Sequence, residues 1–521
     1  MTTEDRTPPD SIAEAEARAL RLNENLAKLE DLSKRLTVAL TNRRQADPAL
    51  AGPAPDVYMK AAAAYLAEMM QNPAKVVEHQ VNYWGKTLKH YVEAQQTLAK
   101  GEFKAPPDPG PKDRRFSNPL WETHPFFNYL KQQYQLNSEA ITTAVGDLES
   151  LDPADRRRVD YFTRQIVDMF SPTNFLGTNP DALERAVATD GMSLVQGLEN
   201  LVRDIESNQG DLLVTLADRE AFKVGENLAT TPGAVVYRNQ MLELIQYEPT
   251  TAKVHKTPLI IFPPWINKFY IMDLKAQNSL IKWIVDQGFT LFVVSWVNPD
   301  SSYAGIGMDD YIRDGFMRAM AEVRRITGEK QINEVGVFLN DDFVDGIERQ
   351  TAHDGILSKV FKSRTFSFLR SNDLIYTPAI KSYMLGEAPP AFDLLYWNGD
   401  GTNLPAKMAV EYLRGLCQKD GFAKGEFAVF GHPVSLADIK LPLCAIACET
   451  DHIAHWRGSF NGVKQMGSAD KTFILSESGH IAGIINPPSK DKYGHYASEA
   501  PVTGNPDAWL KSATFHTGSW W

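Results

Sequence analysis

The feature that most constrains this chain is the order of apolar runs between Pro258 and Val337. Pro258 to Phe262 is a short apolar strand ending in Pro263 and Pro264. Leu280 to Asp286 reads as a helix end closed by Gly288, and Leu291 to Val297 is an almost unbroken apolar run. Met308 to Ile326 has helical spacing with Gly328 just past its end, and Gln331 to Val337 is the next strand. An apolar strand with almost no polar alternation is buried on both faces, which places it inside a mostly parallel sheet covered by helices. Strand, helix, strand, helix, strand is the signature of a doubly wound α/β sheet. Ala234 to Tyr237 and Leu242 to Glu248 read as paired strands ahead of it, and Leu441 to Ala447 and Thr472 to Leu475 as two further strands. From Phe338 to about Glu426 the alternation breaks down into aromatics and turns (Phe366, Phe368, Phe392, Tyr396, Trp397, and Asn398 to Gly401), which reads as an insertion.

The first two-fifths of the chain is mostly α. Ser11 to Asn42 contains no Gly or Pro, and Leu22, Leu26, Leu29, Ser33, Leu36 and Leu40 step by fours and threes, an a/d seam with one polar interruption. Such a seam pairs with another helix, in trans or in a dimer, or packs on its own domain. Ala46 to Asp56, with Pro48, Pro53 and Pro55, reads as a linker, and Pro106 to Pro111 as a second breaker. Between them, Val57 to Lys100 is helical, with Val77, Val81, Trp84, Leu88 and Tyr91 on one face; helical patterning continues from Asn118 to about Asp218 through Phe126–Leu136, Ala154–Met169 and Asp181–Ile205.

Charge and cysteine usage narrow the function classes. Against 54 Lys and Arg stand 65 Asp and Glu, a net charge of −11, which argues against broad nucleic-acid binding. Three cysteines, Cys417, Cys444 and Cys448, without CxxC spacing make no disulfide framework and point to a reducing compartment. Met1 to Asp10 is polar, so no secretory signal is expected, and no run approaches the ~18–20 apolar residues of a transmembrane helix. There is no Walker loop, no HExxH, and no GxGxxG opening a helix after a strand, so neither a metal nor a nucleotide cofactor is expected.

In open α/β sheets the working residues sit at the carboxyl ends of strands. Asp451 follows the strand Leu441–Ala447, and His480 follows Thr472–Leu475 in Ser478-Gly-His-Ile-Ala-Gly483. A strand-borne aspartate followed about thirty residues later by a strand-borne histidine is the back half of an α/β-hydrolase triad, in which the carboxylate fixes the imidazole's tautomer and the imidazole takes a proton from a nucleophile. Gly479 and Gly483 fit a tight turn there. The competing reading makes each an ordinary loop residue. Pro264, Trp265 and Asn267, in Pro263-Pro-Trp-Ile-Asn-Lys268, stand where such enzymes place their second oxyanion-hole amide; a rigid diproline loop is the alternative. His452 adjoins Asp451 and either lines the pocket or is an exposed turn residue. The front half of the triad, a Gly-x-Ser-x-Gly or Gly-x-Cys-x-Gly elbow after Gln331–Val337, is absent there and everywhere else in the chain.

The chain resembles the class I poly(3-hydroxyalkanoate) synthases over nearly its whole length. The segments that carry the resemblance are Asp113-Arg-Arg-Phe-Ser-Asn-Pro-Leu-Trp121, Phe170-Ser-Pro-Thr-Asn-Phe-Leu-Gly-Thr-Asn-Pro180, Pro263-Pro-Trp-Ile-Asn-Lys-Phe-Tyr270, Phe366-Ser-Phe-Leu-Arg-Ser-Asn-Asp-Leu374, Phe392-Asp-Leu-Leu-Tyr-Trp-Asn-Gly-Asp400, Ser478–Gly483 with Asn486-Pro-Pro488, and His516-Thr-Gly-Ser-Trp-Trp521. The resemblance implies an α/β-hydrolase fold with a cap insertion, preceded by a mainly α N-terminal domain: residues 1–220 helical, 221–521 catalytic, the cap at about 338–426. It implies a cytoplasmic enzyme at the storage-granule surface that polymerises (R)-3-hydroxyacyl-CoA and releases CoA, with the CoA thioester as substrate and no separate cofactor. Its expected partners are the polyester granule surface and either a second copy of the chain, as a homodimer, or a granule protein. A cysteine thiolate carries the growing chain; His480 matches the histidine that deprotonates it, and Asp451 the aspartate that activates the incoming 3-hydroxyl.

The departures fall on the nucleophile. In the family, a Gly-x-Cys-x-Gly-Gly elbow follows the strand matched by Gln331–Val337. Here that strand runs into Phe338-Leu-Asn-Asp-Asp-Phe-Val-Asp-Gly346, which resembles the start of the family's cap. Elbow, helix, core strand and loops together amount to roughly 40 residues. His455 stands where the family usually has proline, and the chain stops at Trp521 where family members continue. Cys444 and Cys448 share a strand face and read as core residues, Cys417 as helix packing, and Asp341 or Asp342 as cap residues before nucleophiles. Three readings follow: a synthase carrying an internal deletion and inactive without its nucleophile; a non-catalytic granule-associated partner of an intact synthase; or an esterase or depolymerase with a relocated nucleophile. Loss of a core strand is expected to expose two sheet edges.

Overall fold

The structure, a computed structural model, describes residues 12–41, 55–100, 112–148, 151–208, 210–336, 351 and 354–521. The prolines of the expected linker up to Pro53, the breaker Pro106–Pro111, and Phe338–Gly346 with Asp341 and Asp342 lie outside them. The chain divides into two compact units. One comprises Met1–Leu216 with Arg370–Pro389; the other comprises Ala217–Leu369 with Pro390–Trp521.

The first unit is built from helices α1 (Ile12–Thr41), α2 (Pro55–Gln71), α3 (Pro73–Lys100), α4 (Pro125–Gly146), α5 (Pro153–Met169) and α6 (Met192–Ser207), with shorter turns between. The expected helix over Asp181–Ile205 is two, Pro180–Ala188 and α6, because Asp190 and Gly191 both take positive φ. α1 packs on α6 within this unit, through Leu29, Leu32 and Leu36 against Val195, Leu198 and Val202. Its buried line is Asn25, Leu32 and Ala39, whereas Ser33 is exposed and Leu40 is 48% exposed. The expected seam is therefore turned by about one residue.

Of the stretch 338–426 expected as an insertion, residues 370–389 belong to the helical unit. Asn200 Nδ2 donates to Ser382 O and Glu387 O, each at 3.1 Å, and Tyr383 Oη to Asp204 Oδ2 at 2.6 Å. Gly197 permits the approach, since a Cβ there would lie 2.0 Å from Tyr383 O. These partners are some 180 residues apart in sequence, so no local pattern announces them.

The second unit is mixed α/β. Strands β1 (Gly233–Arg238), β2 (Leu242–Tyr247), β3 (Leu259–Phe262), β4 (Leu291–Trp296) and β5 (Asn333–Gly336) form one sheet in the order β1-β2-β4-β3-β5. β3 runs parallel to β4 and to β5, whereas β1–β2 and β2–β4 are antiparallel. Leu291, Phe292, Val293 and Val294 are all fully buried, as an apolar run between two helix layers must be. The helical stretch from Met308 to Thr327 ends at Gly328 in the left-handed conformation, but Tyr311–Met317 is wound as a π segment. Gly315 lies in it, and a Cβ there would meet the Trp296 ring at 2.8 Å.

A second sheet has the order β6 (Leu443–Cys448), β7 (Lys471–Ser476), β8 (His495–Ala497) and β9 (Thr514–His516), with β6 and β7 parallel. Among the described residues, β5 pairs only with β3 and β6 only with β7, so the ladder is interrupted between them. β6 is also less covered than β4: Cys444 is exposed, and Leu443, Ala445 and Ile446 are half-buried.

Candidate active site

Register brings the two strand ends together. Cys448 on β6 is opposite Ser476 on β7, and the pairing continues past both strands: Glu449 N donates to Ser476 O at 2.9 Å and Thr450 N to Ser478 O at 3.0 Å. The chain beyond β6 then turns at Asp451, whose Oδ1 accepts from Ile453 N at 2.8 Å and Ala454 N at 3.0 Å. Its Oδ2 lies 2.8 Å from His480 Nδ1. The pair read from strand order is thus assembled. Burial pushes the Asp451 carboxyl up, but the His480 hydrogen bond and charge and the two amides outweigh it and hold the group below its ordinary value. His480 Nε2 has no hydrogen-bond partner among the described residues.

The loop that carries His480 is not bent by its glycines. The left-handed positions belong to Ser478 (φ 81°) and Ile481 (φ 66°), the latter β-branched, a conformation that persists only when surroundings impose it. Gly483 matters for another reason: a Cβ there would lie 2.7 Å from Glu477 O and 2.8 Å from Cys448 Sγ. Ser476 Oγ donates to Gly483 O at 3.0 Å, Trp520 Nε1 to the same oxygen at 2.9 Å, and Trp521 Nε1 to Ile484 O at 2.8 Å. Trp520, Trp521, Ser476 and Ile481 are positioning residues that sequence reasoning missed. The Trp-Trp pair stood in a quoted motif, but nothing in its spacing named its target.

The loop after β3 is held from the other side. Trp296 Nε1 donates to Pro263 O at 2.7 Å, Thr402 N to Ile266 O at 3.0 Å, Trp397 Nε1 to Lys268 O at 2.9 Å, and Tyr270 Oη to Asp400 Oδ2 at 2.8 Å. Two motif segments, Pro263–Tyr270 and Phe392–Asp400, therefore brace each other. Asn267 N donates to Pro264 O at 3.0 Å, so that amide closes the turn; among the described residues the Trp265 amide takes no partner. The Trp265 ring packs among Tyr311, Phe316 and Tyr412. Ile481 and Ile485 pack on the same core cluster as Ile261, Tyr270 and Trp397. His452 is half-buried beside Asp451. No hydrogen bond joins Pro264, Trp265 or Asn267 to His480.

No thiol stands ready. Cys448 is 2% exposed, and burial together with the Asp451 charge pushes it up to about 12. Partial burial of its sulfur also raises Cys444. Cys417 is half-buried on the helical turn Tyr412–Gln418. Among the described residues no group of three or more His, Cys, Asp and Glu has metal-site geometry, and no helix is long and apolar enough to cross a membrane.

Residues 112–284 match the family model described as the N-terminus of poly-beta-hydroxybutyrate polymerase (PhaC). The chain is 35% identical to the poly(3-hydroxyalkanoate) polymerase subunit PhaC of Rhizobium meliloti over 494 residues, covering 87% of this chain and 80% of the relative. It is 35% identical to the subunit of the same name from Cupriavidus necator over 505 residues (88% and 83%), and 33% identical to poly(3-hydroxyalkanoate) polymerase 2 of Ectopseudomonas oleovorans over 458 residues (80% and 81%). The Rhizobium match takes up about 453 of the 521 residues here, so about 40 of its 494 positions have no counterpart in this chain.

Proposed function

The chain belongs to the poly(3-hydroxyalkanoate) polymerase family, and on that premise we propose that it is a member that keeps the acid–base half of the site but lacks its nucleophile. The observation that carries this reading is the Asp451–His480 pair, formed at 2.8 Å beside a Cys448 thiol driven up to about 12, in a chain without a Gly-x-Cys-x-Gly elbow. The strand order β1-β2-β4-β3-β5, with the acid after β6 and the histidine after β7, supports an α/β-hydrolase fold whose cap includes Pro390–Glu426. The shortfall of about 40 aligned positions matches the roughly 40 residues of an elbow, its helix and a following strand.

In an intact site of this design, an elbow thiolate attacks the (R)-3-hydroxyacyl-CoA thioester and CoA leaves as a thiol. His480 Nε2 takes the cysteine proton and gives it to the departing CoA sulfur; with Asp451 holding the imidazole, it then takes the proton of the 3-hydroxyl that attacks the acyl-enzyme and returns it to the cysteine freed as the ester forms. The unpartnered Trp265 amide supports its reading as the oxyanion donor. Without the thiol the acyl group has no acceptor, and Cys448 is too weakly ionised to stand in. The chain then works in the cytoplasm at the granule surface, beside an intact synthase, without turning over thioester itself.

The test is CoA release from 3-hydroxybutyryl-CoA by the purified full-length chain. None above buffer is expected. Steady release that survives Cys444→Ala and Cys448→Ala would sink the proposal, and release abolished by a serine-directed reagent would favour an esterase. Co-purification with an intact synthase is the positive arm.

A further inference from the structure

We propose that the first turn of the helix Lys359–Leu369, with Lys362 and Thr402, is a binding site for a small monocarboxylate. The inference concerns binding and does not depend on whether the chain turns over thioester.

A lysine amine is rarely buried unless a carboxylate faces it. The chain keeps that rule elsewhere. Lys131, 2% exposed, stands 2.5 Å from Glu122 Oε1, and Lys275 stands 2.8 Å from the buried Asp393 carboxylate. Lys362 breaks it. The residue is half-buried, its Nζ donates to the Thr402 carbonyl, and no carboxylate among the described residues pairs with it. Burial holds its amine down to about 7, and no neighbouring charge contributes.

Thr402 supplies an independent observation. It is 1% exposed, and its Oγ1 has no hydrogen-bond partner among the described residues. A buried hydroxyl left in that state costs stability until something fills its valence. Its place is fixed on both sides. Thr402 N donates to Ile266 O at 3.0 Å, Asn403 N to Asn298 Oδ1 at 2.9 Å, and Asn403 Nδ2 to Pro299 O at 3.0 Å.

The helix start adds to the donor set. Asn403 Oδ1 accepts from Lys359 N at 2.8 Å and Ser358 Oγ from Phe361 N at 3.2 Å, which leaves the Val360 amide without a partner among the described residues. Carboxylates are favoured in a first turn and cations are not, yet this turn has no acidic residue and carries Lys359 and Lys362. An anion seated there offsets both the helix dipole and the lysines.

Charge fixes the class of anion. Lys359 Nζ already stands 3.9 Å from Asp400 Oδ1, so the charge left over is that of Lys362. A singly charged ligand balances it, whereas a phosphate dianion leaves a buried excess. A carboxylate brings two acceptor oxygens to three donors: the Lys362 ammonium, Thr402 Oγ1 and the Val360 amide.

The test is a titration of the full chain with sodium (R)-3-hydroxybutyrate at constant ionic strength, read by saturation transfer to the methyl protons of the acid. Saturable binding is expected at about pH 7. The bound anion favours the ammonium, so affinity falls as pH rises through the amine's value: half ammonium at about pH 7 and about one-hundredth at about pH 9, hence about fifty-fold weaker binding. Lys362→Met should abolish binding without lowering the melting temperature, since it removes an uncompensated charge. Thr402→Val keeps the carbonyl that Lys362 uses and should weaken binding about tenfold. The linear trimer of 3-hydroxybutyrate carries the same acid at a polyester end; tighter binding than the monomer assigns the site to a chain end, and weaker binding to the free acid. No saturable binding at about pH 7 overturns the proposal. So does binding that Lys362→Met retains, or inorganic phosphate that competes as strongly as the hydroxy acid.

Discussion

The reactivity of Cys448 is the sharpest measure of whether this chain holds a nucleophile. Its thiol is pushed up to about 12 from an ordinary 9.0. At about pH 8 the thiolate fraction is then about one in ten thousand, against roughly one in ten for an ordinary thiol, a deficit near a thousandfold. A more basic thiolate is a better nucleophile, and a Brønsted slope of about 0.4–0.5 over three units returns about twenty-fold. The net expectation is a reaction with an aromatic disulfide reagent about fifty-fold slower than in the urea-unfolded chain, before the cost of reaching a residue 2% exposed. The rates are read cysteine by cysteine, by quenching and mass spectrometry. Asp451→Asn removes one of the two causes of the shift, so it should speed Cys448 while leaving Cys417 unchanged. A native Cys448 that reacts as fast as in urea, or faster, would refute the reasoning and reinstate a relocated nucleophile.

Two further outcomes follow from the loop geometry. Asp451 is held below its ordinary value, so its stabilisation is complete above the usual carboxylate range and is lost as pH falls through the folded value; His480→Ala should remove about 1–3 kcal/mol at neutral pH and blunt that acid dependence, as seen in hydrogen exchange at the Glu449 and Thr450 amides. Gly483→Ala should cost about 1–3 kcal/mol and lower the melting temperature, because its Cβ would press on Glu477 O and Cys448 Sγ, whereas Gly479→Ala, with nothing closer than 3.6 Å, should be nearly neutral.

The parts of this molecule that were legible in its sequence are those where one physical cause dominates. Leu291–Val297 named a doubly covered strand because burial on both faces removes polar alternation, and the order strand–Asp451, strand–His480 named a pair that β6 and β7 then bring to 2.8 Å. What stayed hidden depends on partners far along the chain. Gly197 gives no sign that Tyr383 will lie against it, and the helical spacing around Gly315 gives no sign of the π turn beside Trp296. The tight turn read at Gly479 and Gly483 is present, but its left-handed positions are Ser478 and Ile481, and a Cβ on Gly483 would meet Cys448 Sγ, neither of which the sequence announces. Periodicity likewise found the apolar stripe of α3 without saying which way it points.

The interruption between β5 and β6 has a consequence for cooperativity. In a continuous sheet each strand's opening exposes its neighbours, so the ladder tends to come apart as one body. Here Asp451, His480 and the Trp520–Trp521 clamp all belong to the β6–β9 piece, while Trp265 and its bracing belong to the β1–β5 piece. With no ladder between them among the described residues, the two pieces are coupled by apolar packing, Ile481, Ile485 and Trp521 lying on the core cluster of Ile261, Tyr270 and Trp397. Cutting that contact with Trp521→Ala should separate amide exchange in β7 from that in β4.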